Sequence, residues 1–245
     1  MRRRPAFTLG SMMRLRLFLA LSVFLTSIAL AAPPQQLTAK YRVIKSGQLV
    51  GEVNERFERD GQQYRIESTT TATGIFALFA RGVIKLQSTG EVTADGLRPL
   101  HFEHHRGADA AKLMVADFDW EKLGVTHKYD GRVETAPLPA GTQDRLSQLY
   151  QFMFRAPENR DVDFHISTGR KLSLHHYRFI KEETTAVSAG TFQTLHLSKE
   201  RTADEDGIEL WLAKSRHHFP VRIVFIEKNG SRLEQQLESL SFKPD

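Results

Sequence analysis

The stretch "KYRVIKSGQLVGEVNERFERDGQQYRIESTTT", residues 40–71, decides the fold. Tyr41 and Val43, Val53 and Phe57, and Tyr64 and Ile66 fall on alternate positions, with charged or polar residues filling most places between them. A period of two is the signature of strands with one buried face, because successive side chains in a strand point to opposite sides. Ser46-Gly47 and Asp60-Gly61 interrupt the alternation. Each supplies a glycine that accepts the positive φ a tight hairpin turn requires. Three antiparallel strands in sequence follow from these 32 residues alone.

The same style runs through the rest of the chain. "KLQSTGEVTADGLRPLHFEHHR" (85–106) turns at Asp95-Gly96, and "KLMVADFDWEKLGVTHKYDGRVETAPL" (112–138) turns at Asp130-Gly131. Residues 171–242 continue it, with Asn229-Gly230 between the last two segments. In "FPVRIVFIEK" (219–228), Val221, Ile223 and Phe225 share one wholly apolar face, which must line a core or a cavity. A dozen strands or more, nearly all antiparallel neighbours, have to close into a barrel or coil on themselves to hide their edges. No break in composition and no fixed repeat divides residues 38–245, which read as a single β-rich domain.

Two segments depart from the strand pattern. In "GTQDRLSQLYQFMFRAP" (141–157), Leu146, Leu149, Tyr150 and Met153 recur at i, i+3, i+4 and i+7, which predicts an amphipathic helix over 143–155. Gly141-Thr142 precede it as a cap, Asp144 is expected in its first turn, and Pro157 ends it. Such a helix either plugs the open mouth of the sheet or forms one wall of a ligand cavity. The second segment is "TTTATGIFALFARGVI" (69–84), where Ile75, Phe76, Leu78 and Phe79 predict a short helical turn over Ile75–Ala80. Burying all four would contribute about 6–10 kcal/mol, at roughly 1.5–3 kcal/mol each. So short an element cannot persist alone. It needs a partner, either as a plug at one end of the sheet or as a lid over a cavity, with Gly74 and Gly82 bracketing it. The fold class expected is all-β: a curled antiparallel sheet, open barrel or β-spiral, carrying one amphipathic helix and one short helical turn.

The N-terminus narrows the compartment. Arg2, Arg3, Arg4, Arg14 and Arg16 precede "LFLALSVFLTSIALA" (17–31), an uncharged apolar run ending in an A-x-A pattern. That is a signal peptide over residues 1–31, too short for the ~20 residues that span a bilayer. Translation could begin at Met1, Met12 or Met13. Residues 32–37 (APPQQL) are expected to be a disordered lead-in, and no transmembrane helix is expected in the mature chain. Cleavage removes five of the 34 cationic residues and leaves a balance against the 29 acidic ones. A nucleic-acid partner, which needs a net basic face, is therefore not expected. The chain has no cysteine, so disulfides, thiolate metal sites, cysteine nucleophiles and a lipid-modified mature N-terminus are all excluded.

No arrangement of residues announces catalysis. Ser147 lacks a G-x-S-x-G elbow, and neither phosphate loops nor dinucleotide fingerprints occur. His101, Glu103 and His105 fall on one strand face and could offer metal ligands, but a solvated histidine-rich strand is the commoner arrangement. The pairs His175/His176 and His217/His218 point to opposite faces wherever they lie in strands. Asp117 and Asp119 flank Phe118 on a polar strand face. No cofactor and no bound metal are expected.

The order Gly96-Leu97-Arg98-Pro99, Phe118-Asp119-Trp120, Asp144-Arg145-Leu146-Ser147-Gln148-Leu149-Tyr150-Gln151, Trp211-Leu212 and Pro220-Val221-Arg222-Ile223 resembles the domain of unknown function 3108, a family of exported bacterial envelope proteins. The matched stretches cover most of residues 41–242. The resemblance implies a periplasmic all-β protein and brings no catalytic residues with it. More loosely, its style is similar to exported half-barrel proteins, lipoprotein carriers among them, that curl a sheet around a helix and an apolar cavity. The function expected first is a non-catalytic periplasmic binding or carrier protein for an apolar or amphiphilic envelope component, a lipid or glycolipid. Ile75, Phe76, Leu78, Phe79, Leu146, Leu149, Tyr150 and Met153 would form its ligand-binding walls or lid. The alternatives are an envelope adaptor acting through a protein partner and, third, a hydrolase of cell-wall polymer.

Overall fold

A computed structural model describes residues 33–78, 82–107 and 112–243. The expected signal peptide and Phe79 lie outside the described residues. Fifteen strands occur among those described. They are β1 (Gln36–Lys45), β2 (Gln48–Asp60), β3 (Gln63–Ala72), β4 (Ile84–Thr93), β5 (Gly96–Arg106), β6 (Met114–Asp119), β7 (Gly124–Tyr129) and β8 (Arg132–Pro137) in the first half. The second half holds β9 (Gln143–Asp144), β10 (Val162–Ser167), β11 (Leu172–Val187), β12 (Gly190–Lys199), β13 (Gly207–Ala213), β14 (Phe219–Ile226) and β15 (Arg232–Lys243). Helix α1 spans Ser147–Phe154, between β9 and β10.

All fifteen strands join one sheet, in the order β8-β7-β6-β5-β4-β3-β2-β1-β15-β14-β13-β12-β11-β10-β9. Two meanders are therefore stitched together by the pairing of β1 with β15. Every ladder is antiparallel except the short β9–β10 pair, so the sheet is mixed. The strand order leaves β8 and β9 as its two edges, and the sheet is an open one. Strand β1 begins at Gln36, with Leu37 fully buried, so the sheet takes in the last two residues of the expected lead-in.

The alternation read from the sequence is the alternation of burial. Leu37, Ala39, Tyr41 and Val43 of β1, Val53 and Phe57 of β2, and Tyr64 and Ile66 of β3 all face the interior. Five register shifts, including those at Lys40/Tyr41, Thr89/Gly90 and Trp211/Leu212, increase local twist and let so many strands curl. At the β4 shift a side chain has no room. A Cβ on Gly90 would lie 2.2 Å from the Arg98 carbonyl oxygen and 2.8 Å from the Pro99 Cα.

Helix α1 occupies the inside of the curl, packing against both β5 and β14, which five strands separate in the sheet order. Tyr150 stacks on Phe57 with ring centroids 5.6 Å apart and meets Phe219 edge-on at 5.5 Å. Phe152 meets Phe164 and Tyr177 edge-on. The helix is shorter than the predicted 143–155. Gln143 and Asp144 belong to β9, and Leu146 is the N-cap residue. Gly141-Thr142 do not cap it, since the Thr142 hydroxyl donates to the Pro139 carbonyl instead (2.7 Å). Nor is the polar side of the helix solvated, as an amphipathic surface helix would have it. Ser147, Gln148 and Gln151 are buried and bonded into the sheet. Gln151 accepts from the Leu97 N–H (2.7 Å) and donates to the Asp95 carbonyl (2.8 Å), while Gln148 accepts from the Tyr177 hydroxyl (2.7 Å).

Candidate functional site

Because the strands alternate in direction, one end of the sheet gathers the last residues of β1, β3, β5 and β14 and the first residues of β4, β13 and β15. A cleft opens at this rim. Its larger chamber, about 370 Å³, is walled by apolar side chains that include Val43, Leu86, Leu146, Leu149, Ile226 and Leu233. A smaller chamber of about 210 Å³ adjoins it, and both share Arg145, Asp206, Gly207, Ile208 and Phe225 as walls. Helix α1, eight residues long, occupies only part of the space inside the sheet. From Tyr150 onward its aromatic rings fill the interior, whereas Leu146 and Leu149 at its N-terminal end line the larger chamber. An apolar void of ~150 Å³ already accepts a benzene-sized molecule.

The turn that presents Arg145 is tightly built. Asp144, fully buried, accepts at Oδ1 from the backbone N–H groups of Leu146 and Ser147, both at 2.8 Å. Ser147 Oγ in return accepts from the Asp144 N–H (2.9 Å), and Ser88 donates to the other carboxylate oxygen. Asp144 therefore satisfies the helix N-terminus from outside the helix, not from within its first turn. The Arg145 N–H donates to the Ser167 carbonyl at 3.0 Å, which fixes the residue against β10. Its side chain enters the cleft and is exposed to the solvent there.

Charges around the cleft are displaced from their ordinary behaviour by burial. Glu55, 7% exposed on β2, receives the Tyr150 hydroxyl (2.9 Å) and the Ser68 hydroxyl (3.1 Å). Desolvation nevertheless raises its carboxyl to about 7, against the pull of both hydrogen bonds. Asp144 is raised to about 6 by the same cause. His104 and His175 are pushed down to about 4, mainly by burial and further by nearby cations, Arg145 among them. Both imidazoles are neutral at neutral pH. Among the charges around it, Arg106 repels the Arg145 guanidinium and Asp206 attracts it.

The residues expected to form the site divide. Leu146 and Leu149 line the larger chamber. Tyr150 and Met153 are packed into the core. The predicted turn over Ile75–Ala80 is a 3-10 helix over Gly74–Leu78, leaning on β2 and β3. Ile75 is 67% exposed and Phe76 half-buried, so the joint burial of four apolar residues does not hold. This turn belongs to the β3–β4 connection, which leaves the sheet at the cleft rim. Sequence reasoning missed Arg145, Arg106, His104 and Glu55. A polar residue inside a strand pattern carries no local mark of the strand it will face. Asp117, His101, Glu103 and His105 do come together on an outer face, where His101 Nδ1 meets Asp117 (2.7 Å) and Glu103 links both imidazoles. Among the described residues no group of side chains is arranged to hold a metal ion.

Among the described residues no helix is long and apolar enough to cross a membrane. No curated protein sequence matches the chain. A beta-barrel-like protein of domain of unknown function DUF1849 from Brucella abortus is similar in structure, with a TM-score of 0.52 at 12% identity. The match covers 87% of this chain and all of that one, and it supports the open-barrel architecture. Two others are a "putative lipoprotein" from Parabacteroides distasonis (TM-score 0.37, 13% identity, 86% of this chain and 97% of that one) and a "putative exported protein" with a YmcC-like fold from Bacteroides fragilis (TM-score 0.35, 10% identity, 86% and 97%). The family model described as a protein of unknown function, DUF3108, matches residues 36–238, and the chain belongs to that family.

Proposed function

We propose that this is an exported, periplasmic, non-catalytic binding or carrier protein for an apolar or amphiphilic component of the cell envelope. The observation that carries the reading is the apolar-walled chamber of about 370 Å³ at the mouth of the curled sheet, within the size of sites that hold small molecules. Residues 1–31 act as the export signal, and 38–245 form one domain. Leu146 and Leu149 supply the inner wall. The turn over Gly74–Leu78, with Ile75 and Phe76, stands at the rim and acts as a lip over the occupant, and the proposed role of Leu78 and Phe79 in that lip rests on the sequence alone. Tyr150 and Met153 hold the helix in place behind it.

The test uses N-phenyl-1-naphthylamine, an uncharged apolar fluorophore, titrated into the chain of residues 32–245. Saturable one-to-one enhancement is expected. Leu86→Trp and Ile226→Trp, each filling the chamber from a half-buried wall position, should weaken binding tenfold or more while the melting temperature holds. Enhancement that never saturates, or that both variants leave unchanged, would refute the cleft as the binding site. Capture of an envelope protein in its place would favour the adaptor reading.

A further inference from the structure

We infer that the cleft recognises an oxyanion, phosphate or carboxylate, carried on the head of its amphiphilic occupant and gripped between Arg145 and Arg106. The inference rests on the binding reading above and specifies the occupant's chemistry. Its basis is a pair of guanidinium groups, neither of them bonded to an acid among the described residues, set among the apolar side chains of the chamber wall. Arg145 and Arg106 both line the larger chamber, and among the described residues neither guanidinium has a hydrogen bond or an ion pair. They stand close enough for each to be felt as a like charge by His104. Surface cations elsewhere mostly find acids: Lys40 meets Glu52 and Glu238, Arg65 meets Glu67, and Lys214 meets Glu182.

Two neutral histidines stand on the same walls: His104 lines the larger chamber and His175 the smaller, each with a buried Nδ1 that makes no hydrogen bond. Neutral at neutral pH, they add no charge of their own to the site. Arginine forks match the planar or tetrahedral oxygens of carboxylates and phosphates, and such charge-assisted bonds are the strong ones. The acids on the cleft wall are each engaged elsewhere, although Asp206 offsets part of the Arg145 charge. Asp206 Oδ1 accepts from the Lys228 N–H (3.2 Å), Glu227 lies 4.0 Å from Lys45, Glu55 accepts from Tyr150 and Ser68, and Glu205 pairs with Lys199 (3.5 Å) at the smaller chamber. An occupant would place its oxyanion at Arg145 and its chain along Leu146, Leu149, Ile226 and Leu233.

The experiment displaces the bound fluorophore with four probes: dodecyl phosphate, dodecanoate, dodecanol and inorganic phosphate. It is run on the native chain, Arg145→Gln and Arg106→Gln. Neither arginine makes a side-chain bond, so both variants should fold with unchanged melting temperatures. The expected result is that one or both anionic amphiphiles bind at least tenfold more tightly than dodecanol. Arg145→Gln should erase that preference and leave dodecanol unaffected, and Arg106→Gln should reduce it. Dodecanol binding as tightly as the anions overturns the inference but not the binding reading. So does an Arg145→Gln variant that weakens all amphiphiles alike. Inorganic phosphate binding lost in Arg145→Gln, with no amphiphile binding at all, would keep the anion site and refute the carrier. Binding of none of the four, and none of the fluorophore, would refute both.

Discussion

Replacing Glu55 with glutamine changes one buried group from ionisable to neutral and keeps its shape. The Tyr150 and Ser68 hydroxyls that now donate to Glu55 can serve an amide as donor or acceptor, so packing is preserved. Burial raises the Glu55 carboxyl from 4.5 to about 7. A group whose folded pKa lies above its unfolded value is protonated first in the native state. Below about pH 4.5 it therefore costs nothing, and stability is lost as pH rises, with the loss complete above about pH 7. At 1.36 kcal/mol per pKa unit the whole loss is about 3 kcal/mol, and about 2–3 kcal/mol of it falls between pH 5 and 8.5. Glu55→Gln should thus be near neutral at pH 5 and more stable than the native chain at pH 8.5. For a domain of this size the gain corresponds to roughly 5–10 °C in Tm. Urea unfolding of both chains at several pH values measures it. A difference that stays flat across that range would refute the reasoning. It would mean that cleft water solvates Glu55 and leaves it ionised in the folded protein.

Gly90→Ala should destabilise by more than about 3 kcal/mol, because its Cβ would meet the Arg98 carbonyl oxygen and the Pro99 Cα, neither of which can move alone. A chemical-denaturation midpoint within error of the native value would contradict the shift at β4. Phe152→Ala, removing a fully buried ring that touches Phe164 and Tyr177, should cost about 3–5 kcal/mol in the same assay. Gln151→Leu strands the Leu97 N–H and the Asp95 carbonyl and should cost about 1–3 kcal/mol. Hydrogen exchange at the Leu97 amide should quicken with it, and an unchanged rate would show that Gln151 does not pin the hairpin. Asp144→Asn should remove a pH dependence: the native chain, with its carboxyl raised from 3.8 to about 6, loses stability as pH rises between those values, and urea unfolding of the variant should show no such loss.

The sheet was legible because its signal is local. Tyr41, Val43, Val53, Phe57, Tyr64 and Ile66 alternate in the sequence as they do in burial, and the glycine turns stand where hairpins require them. Ser46-Gly47 and Asp130-Gly131 both take positive φ at their two central positions. The joining of β1 to β15 was not legible, since pairing across nearly the whole chain leaves no local trace. The apolar stripe of α1 was read correctly at Leu146, Leu149, Tyr150 and Met153, all of them buried. Its polar side misled, because Gln148 and Gln151 look like solvent-facing residues and are instead bonded to β11 and β5. Ile75 misled in the opposite direction. Its size demands burial, yet a 3-10 turn of five residues can hide only part of its surface, and Ile75 stays outside. Arg145 is invisible in the sequence for a third reason. Nothing in "DRLS" distinguishes a solvated arginine from one aimed into a chamber whose walls reach back to Val43 and forward to Gln235 in the sequence.

The central claim is that the cleft carries an amphiphile, and native mass spectrometry of residues 32–245, purified gently from a periplasmic extract, tests it most directly. The account predicts a native mass exceeding the denatured mass by one stoichiometric adduct, and solvent extraction releasing an acyl-bearing anion. A bare mass, together with no saturable binding of the uncharged fluorophore, would contradict it.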